Sequence, residues 1–384
     1  MRTLFAFLTP LLLATSLYSA EVTLEQSSES VKATIGDDVF LVFQFDKNRR
    51  KPFALPVTGP GGFELLKSAK ASEEEGAAGR KVIIADESPK LKGGKADFKI
   101  GDEVEVGKIE GDWLEIPAKK LWIHRSSVAP MVATVTRQIN DNPTKGLDRK
   151  HPLYYDHPHH KGIWLSVDEI EGIKFWNEDG EIKNQSVEIV KKSGNPAVLE
   201  TVNHWVGTDG KTLLKEETTI SVYANRLLSY DVTFTAPEQD VNIRDTKEGM
   251  FGIRLPNSMR EMIAGGPVTN AEGAEGTAAT WGRTTNWIDY KGPVDGHVFG
   301  VTIMDHPKNP WKSRYHVRNY GLFSINPFGA GAYTKGRDDE QPAHHRVLKP
   351  NGEKLNFKYG LYVHGGETTK DDINKVFKQF AKAK

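Results

Sequence analysis

The stretch from Val198 to Thr235 constrains this chain more than any other. At its centre LLKEETTISVYANRLLSYDVTFTA alternates apolar and polar residues on both sides of a turn at Ala224-Asn225-Arg226. A period of two belongs to strands with one buried face. A short turn between two such runs makes them antiparallel neighbours. Further strand-like runs lie at Val31 to Phe45, Gly249 to Leu255, His297 to Met304, Gly321 to Ile325 and Leu355 to Val363. The 36 glycines and 20 prolines supply the turns that many strands need. Only the end reads as a helix. Thr368 or Thr369 can cap it, and Ile373, Val376, Phe377 and Phe380 fall on one face. The pattern predicts an all-β fold with a C-terminal helix, and no short-period repeat suggests a propeller or solenoid.

Composition narrows the function classes. Lysine plus arginine equals aspartate plus glutamate, 51 each, so no basic excess favours nucleic acid. Residues 1–20 have the form of a signal peptide: Arg2, a mostly apolar run from Leu4 to Leu17, then Ser19 and Ala20. The expectation is export, to the periplasm or the extracellular space. No later stretch reaches the length of a membrane span. Cysteine is absent, so an exported chain of this kind relies on its core rather than on disulfides.

The organisation reads as one large unit with a smaller one inside it. Residues 21–65 supply first strands, ending in the turn-rich KPFALPVTGPGG of Lys51 to Gly62. Leu65 to Arg80 has the composition of a linker. Residues 81–128 then carry short, closely spaced strands, including Asp102 to Val106, Trp113 to Ile116 and Leu121 to Ile123. The "GDEVEV" and "GDWLEI" strands and the closing "WIHRSSV" resemble a bacterial SH3-like barrel, with Trp113 and Trp122 expected in its core and His124 on its surface. The larger pattern resumes at residues 131–384.

Chemistry concentrates in HPLYYDHPHHKGIW, His151 to Trp164, where four of the chain's twelve histidines fall within ten residues. Imidazoles suit proton transfer or metal ligation near neutral pH. Pro158 favours extended backbone at His157. If that persists, His157 and His159 point to one side and His160 to the other.

The later motifs resemble the bacterial family of unknown function labelled PmoA-like. They are "DHPHHKGIW" (Asp156 to Trp164), "GIKFW" (Gly172 to Trp176), "GMFGIRL" (Gly249 to Leu255), "NAEG" (Asn270 to Gly273), "WGRTTNWIDYKG" (Trp281 to Gly292), "DHPKNP" (Asp305 to Pro310), "YHVRNYGLFSINPFG" (Tyr315 to Gly329) and "YGLYVHGG" (Tyr359 to Gly366). The resemblance implies a large antiparallel β-sandwich similar to the galactose-mutarotase superfamily. Such proteins run from a segment like Pro52 to Gly62 almost directly into "VTR", here Val135 to Arg137. Roughly seventy residues intervene here, so residues 66–130 read as a linker and an SH3-like domain inserted on a surface loop. The label points to a methane monooxygenase subunit, which is an integral membrane protein; this chain has no spanning helix, so only the fold is carried over.

Polar and aromatic residues at the ends of these strands make a candidate carbohydrate pocket. His159, His160, Glu272, Asp305 and His306 are the candidate acid–base groups. Arg254, Asn270, Trp281, Arg283, His316, Arg318 and Asn326 are the candidate binding groups. Two other readings stay open. In one, His157, His159, His306 and His316 ligate zinc, iron or copper, the favoured reading requiring no cofactor. In the other, the sandwich binds a polysaccharide without catalysis and the insert holds cell wall or a partner protein.

Overall fold

A computed structural model of the protein describes residues 21–66, 81–84, 86–130, 157, 159–262, 265–294, 296–335 and 345–383. The apolar leader, the Val135–Arg137 motif and the His151–Asp156 part of the histidine stretch lie outside them.

Two large antiparallel sheets carry the fold. The ten-stranded sheet orders its main path Ser193–Gly194, Val22–Gln26, Ser30–Ile35, Asp38–Gln44, Phe53–Thr58, Ile163–Leu165, Phe251–Arg254, Leu322–Asn326 and Arg314–Val317, with Glu64–Leu66 paired off Phe53–Thr58. The eight-stranded sheet orders Glu181–Lys191, Ala197–Val206, Thr212–Val222, Leu227–Thr235, Leu355–Gly365, His297–Asp305, Trp287–Val294 and Val268–Asn270. The alternating stretch that opened the sequence reading thus occupies consecutive strands, with Arg226 at positive φ in the turn between two of them.

Aromatic rings show how the sheets face each other. Phe251 of the ten-stranded sheet meets Tyr230 and Tyr359 of the other at centroid distances of 4.7 and 6.0 Å, and Phe323 meets Tyr290 at 6.0 Å. All five rings are buried in one apolar cluster. Burying each such side chain contributes about 1.5–3 kcal/mol. Strand alternation then fixes the opposite face. If Phe251, Ile253, Phe323, Ile325, Tyr315 and Val317 point into the sandwich, then Gly252, Arg254, Ser324, Asn326, Arg314 and His316 point out of it.

The C-terminal helix Lys370–Lys382 starts as expected. Thr369 and Asp372 form a reciprocal capping box, and Ile373, Val376 and Phe380 are its buried residues. They pack on Tyr223, Leu227, Trp287 and Met304 of the eight-stranded sheet.

Residues 81–130 form two small sheets of their own, of four and three strands. Their core is Val82, Ile84, Phe98, Val106, Leu114, Ile116, Leu121 and Ile123. Here the expectation for the tryptophans fails. Alternation sends Leu114, Ile116, Leu121 and Ile123 inward, which leaves Trp113 and Trp122 half-buried on the other side. His124 bonds Ser126 and packs edge-on to Trp113.

Candidate functional site

The outward face of the ten-stranded sheet carries the polar constellation. Register places Phe53, Trp164, Gly252, Ser324 and His316 directly opposite one another across five strands. Neighbouring strands lie about 4.8 Å apart, so Trp164 and Ser324 stand about 10 Å apart with only the glycine between them. A Cβ at Gly252 would come within 2.7 Å of the Ser324 Cβ. Arg254, two residues along, sits on the same face, fully buried.

The histidine segment covers one end of this row. Its backbone is turned rather than extended: the His160 N–H donates to the His157 carbonyl at 3.0 Å. That corrects the expected splitting of the imidazoles. The turn lays His157 and His160 face to face, centroids 4.6 Å apart and planes within 3°. The stack continues at both ends, with Trp164 5.4 Å from His160 and Tyr320 5.1 Å from His157. His159 stands edge-on to both of its neighbours, at 4.5 and 5.7 Å. Cations surround the stack. Arg254 Nη1 lies 3.1 Å from His160 Nδ1. An arginine can only donate, so Nδ1 accepts and the neutral ring carries its proton on Nε2. The guanidinium groups of Arg254 and Arg318 sit 5.2 and 5.5 Å from the Tyr320 ring. Buried Lys51 donates to the His159 carbonyl at 2.7 Å and lies 5.4 Å from the Trp164 ring. Glu178 answers Lys51 at 3.4 Å and Lys161 at 2.7 Å.

This environment sets the protonation states. Burial, then the Lys51 charge, holds His159 far below the ordinary histidine range. Burial does the same to His160, with His159 and Arg254 adding to it. Burial lowers Lys51 to about 8, with Glu178 opposing the shift. At neutral pH both imidazoles are therefore neutral, and because their protonated forms are strongly disfavoured they serve as hydrogen-bonding groups rather than as bases.

The other end of the row is His316. Burial lowers it to about 4, and its Nδ1 donates to the Lys247 carbonyl at 2.7 Å, leaving the lone pair on Nε2. Trp281 and Tyr333 pack edge-on to it at 6.2 and 6.1 Å. Asn326 ties down the same loop, donating to the carbonyls of Thr246 and Glu248 at 2.8 and 2.9 Å. Along this row, Trp164 Nε1, Ser324 Oγ and, beside His316, Trp281 Nε1 are buried atoms with no hydrogen-bond partner among the described residues.

Asp168 also belongs to this face and escaped the sequence reading. Burial and the charge of Glu248 raise its carboxyl to about 6, and Thr246 bonds it. The signal was the spacing of Trp164, Ser166 and Asp168, which share a face at a period of two.

The structure thus gathers His157, His159, His160, Arg254 and Arg318 at one end, and His316, Trp281 and Asn326 at the other. The remaining candidates have partners elsewhere. Asp305 is buried at the end of its strand, accepting from Asn309 Nδ2 at 2.7 Å and the Ser313 N–H at 3.0 Å; burial raises it to about 6. His306 packs edge-on to Phe380 of the C-terminal helix at 5.1 Å. Exposed Glu272 accepts from Thr285 Oγ1 at 2.6 Å, and Asn270 accepts from the Ala274 N–H at 2.7 Å in a turn. Arg283 is exposed and donates to the Ala279 carbonyl. His157, His159, His306 and His316 do not gather into one ligand set. Imidazole lone pairs lie in the ring plane, so the stacked His157 and His160 cannot converge on one ion. Among the described residues no three histidine or acidic side chains are placed to hold a metal.

A family of unknown function, DUF6807, matches residues 131–378, well over half the chain. The chain belongs to this family. No curated protein matches it. Among solved structures it is similar to an α-galactosidase from Lactobacillus brevis (10% identity, 90% of this chain, 39% of that one, TM-score 0.34). It is also similar to a GH36 α-galactosidase from Geobacillus stearothermophilus in complex with raffinose (12% identity, 74% of this chain, 41% of that one, TM-score 0.31). An aldose epimerase homologue from C. elegans matches at 10% identity over 90% of this chain and 98% of that one, TM-score 0.30. The DUF6807 chain spans about two fifths of the length of the two galactosidases. At these TM-scores the likenesses carry no argument about its activity.

Proposed function

We propose that this DUF6807 protein binds a carbohydrate on the outward face of its ten-stranded sheet, with neutral imidazoles accepting hydrogen bonds from its hydroxyls. One observation carries the reading. Trp164 Nε1 and Ser324 Oγ on the sheet face, and Trp281 Nε1 beside His316, are buried without a hydrogen-bond partner among the described residues. Buried polar groups without partners are few in folded proteins, and hydroxyl groups of a ligand would satisfy these. Half-buried Trp281 adds an aromatic ring for a sugar to pack against. His157 and His159 are half-buried and His160 is buried. His316 and Asp168, both attached to the 246–248 loop, add an acceptor nitrogen and a carboxyl. The same reading takes the protein as exported, on its apolar leader, and as PmoA-like in kind. It takes residues 66–130 as an inserted SH3-like module that holds cell wall or a protein partner.

The test is calorimetric titration of the full chain with a panel of saccharides. His159→Ala should weaken binding about tenfold, the worth of one or two hydrogen bonds. Wild-type affinity should persist well below pH 6.5, because His159 stays neutral there. Binding unchanged in His159→Ala, or no binding to any saccharide, would sink the proposal.

A further inference from the structure

Beside the site lies a cleft of about 310 Å³ that the proposal above does not use. It runs between the 45–52 segment and the strand end at 182–185. Its volume is at the lower end of the roughly 300–1,000 Å³ typical of small-molecule sites. Phe45, half-buried, contributes a ring, and Asn184 and Gln185 contribute amides. Its surroundings are rich in cations. Residues 45–52 and 181–185 together hold five cations, Lys47, Arg49, Arg50, Lys51 and Lys183, against the carboxylates Asp46 and Glu181. Asp46 is engaged by Arg49 Nε at 2.5 Å, and Glu181 is shared by Arg50 and Lys183 at 2.6 and 2.9 Å. Glu178 answers Lys51 at 3.4 Å, and the five cations still outnumber these three carboxylates around a cleft that offers the Phe45 ring and the Gln185 amide; the Asn184 amide is held by Thr201 and Asn203 at 2.7 and 3.0 Å.

Lys51 joins the cleft to the histidine segment. It lines the cleft, and its ammonium bonds the His159 carbonyl. We propose that the cleft is a subsite for a carboxylate-bearing sugar residue, so that the ligand is an acidic oligosaccharide extending from the histidine end of the site. This rests on the carbohydrate reading above. It adds the charge of the ligand and the direction in which it runs.

The experiment is calorimetric titration of the full chain with trigalacturonate and with a neutral galactose trisaccharide, at low and at raised salt. The wild type should bind the acidic trisaccharide more tightly, and salt should weaken that preference. The exposed pair Lys47→Glu/Lys183→Glu should cost the acidic ligand roughly tenfold, the sum of two exposed ion pairs, and leave the neutral one unchanged. Equal wild-type affinity for the two trisaccharides overturns the subsite. If His159→Ala weakens binding while Lys47→Glu/Lys183→Glu moves neither ligand, the subsite falls and the carbohydrate reading stands. If the wild type binds no saccharide, both fall together. A melting curve for each variant confirms that it is folded.

Discussion

Burial, more than any pairwise contact, decides what the titratable residues of this protein can do. His316 illustrates the sign. Its folded value is about 4, against about 6.5 for an unfolded histidine. Below pH 4 both states are protonated and above 6.5 neither is. Between them the unfolded chain holds more protons, so the stability that His316 contributes is present above 6.5 and lost as pH falls through 4. His159 and His160 act in the same direction. Asp305 and Asp168, raised to about 6, act oppositely: what they contribute is present below about 4 and lost as pH rises through 6. With His306 also lowered and the buried Glu216 also raised, four histidines outnumber three carboxyls, so the urea midpoint should rise from pH 4.5 to 7. His316→Asn, which keeps a donor for the Lys247 carbonyl, should flatten that rise by up to about 3 kcal/mol. An unchanged slope would mean that His316 is not buried in its neutral form. None of this could be read from the residues alone. The tripeptide Asp-His-Pro occurs twice, at 156–158 and 305–307. In the second copy the aspartate is spent on Asn309 and Ser313 and the histidine on Phe380.

At the scale of the element, alternation was legible and its direction was not. Leu213 to Ala236 announced its hairpin, and the C-terminal helix announced its cap and its apolar stripe. The strands under the site did not declare their faces. Phe251–Arg254 and Leu322–Asn326 are buried at every position, so burial does not tell one face from the other. Cross-strand register decides the matter, and register is a long-range property. It also gives Gly252 a role that sequence could not assign, as the gap in the floor between Trp164 and Ser324. Gly252→Ala would bring a Cβ to 2.7 Å from the Ser324 Cβ and 3.1 Å from the Phe323 carbonyl. Overpacking of this kind costs about 1–3 kcal/mol. The variant should lose that stability in chemical denaturation and weaken saccharide binding further than the stability loss explains. A variant as stable and as tight-binding as the wild type would mean that the floor is not where the ligand lies.

For the molecule as a whole, the architecture depends on a pairing that spans most of the N-terminal half of the sequence. Phe53–Thr58 pairs with both Glu64–Leu66 and Ile163–Leu165, so the sheet joins strands that stand on either side of residues 67–162 in the sequence. The motif spacing pointed to that separation, since two segments that adjoin in the resembled family stand roughly seventy residues apart here. The sheets and core of 81–130 are made from its own residues, with none of that core in the sandwich cluster. A unit this small buries too little to be more than marginally stable. Calorimetry of the full chain should therefore resolve a minor transition below the main one. At about 0.7 kcal/mol per residue its enthalpy should be about 35 kcal/mol. Deleting residues 67–130 should remove the minor transition and leave the main one within a few degrees of its wild-type midpoint. It should also leave saccharide binding intact, because every residue assigned to the site and to its cleft lies outside that segment. A deletion that abolished cooperative unfolding would show instead that 67–130 is part of what holds the two large sheets together.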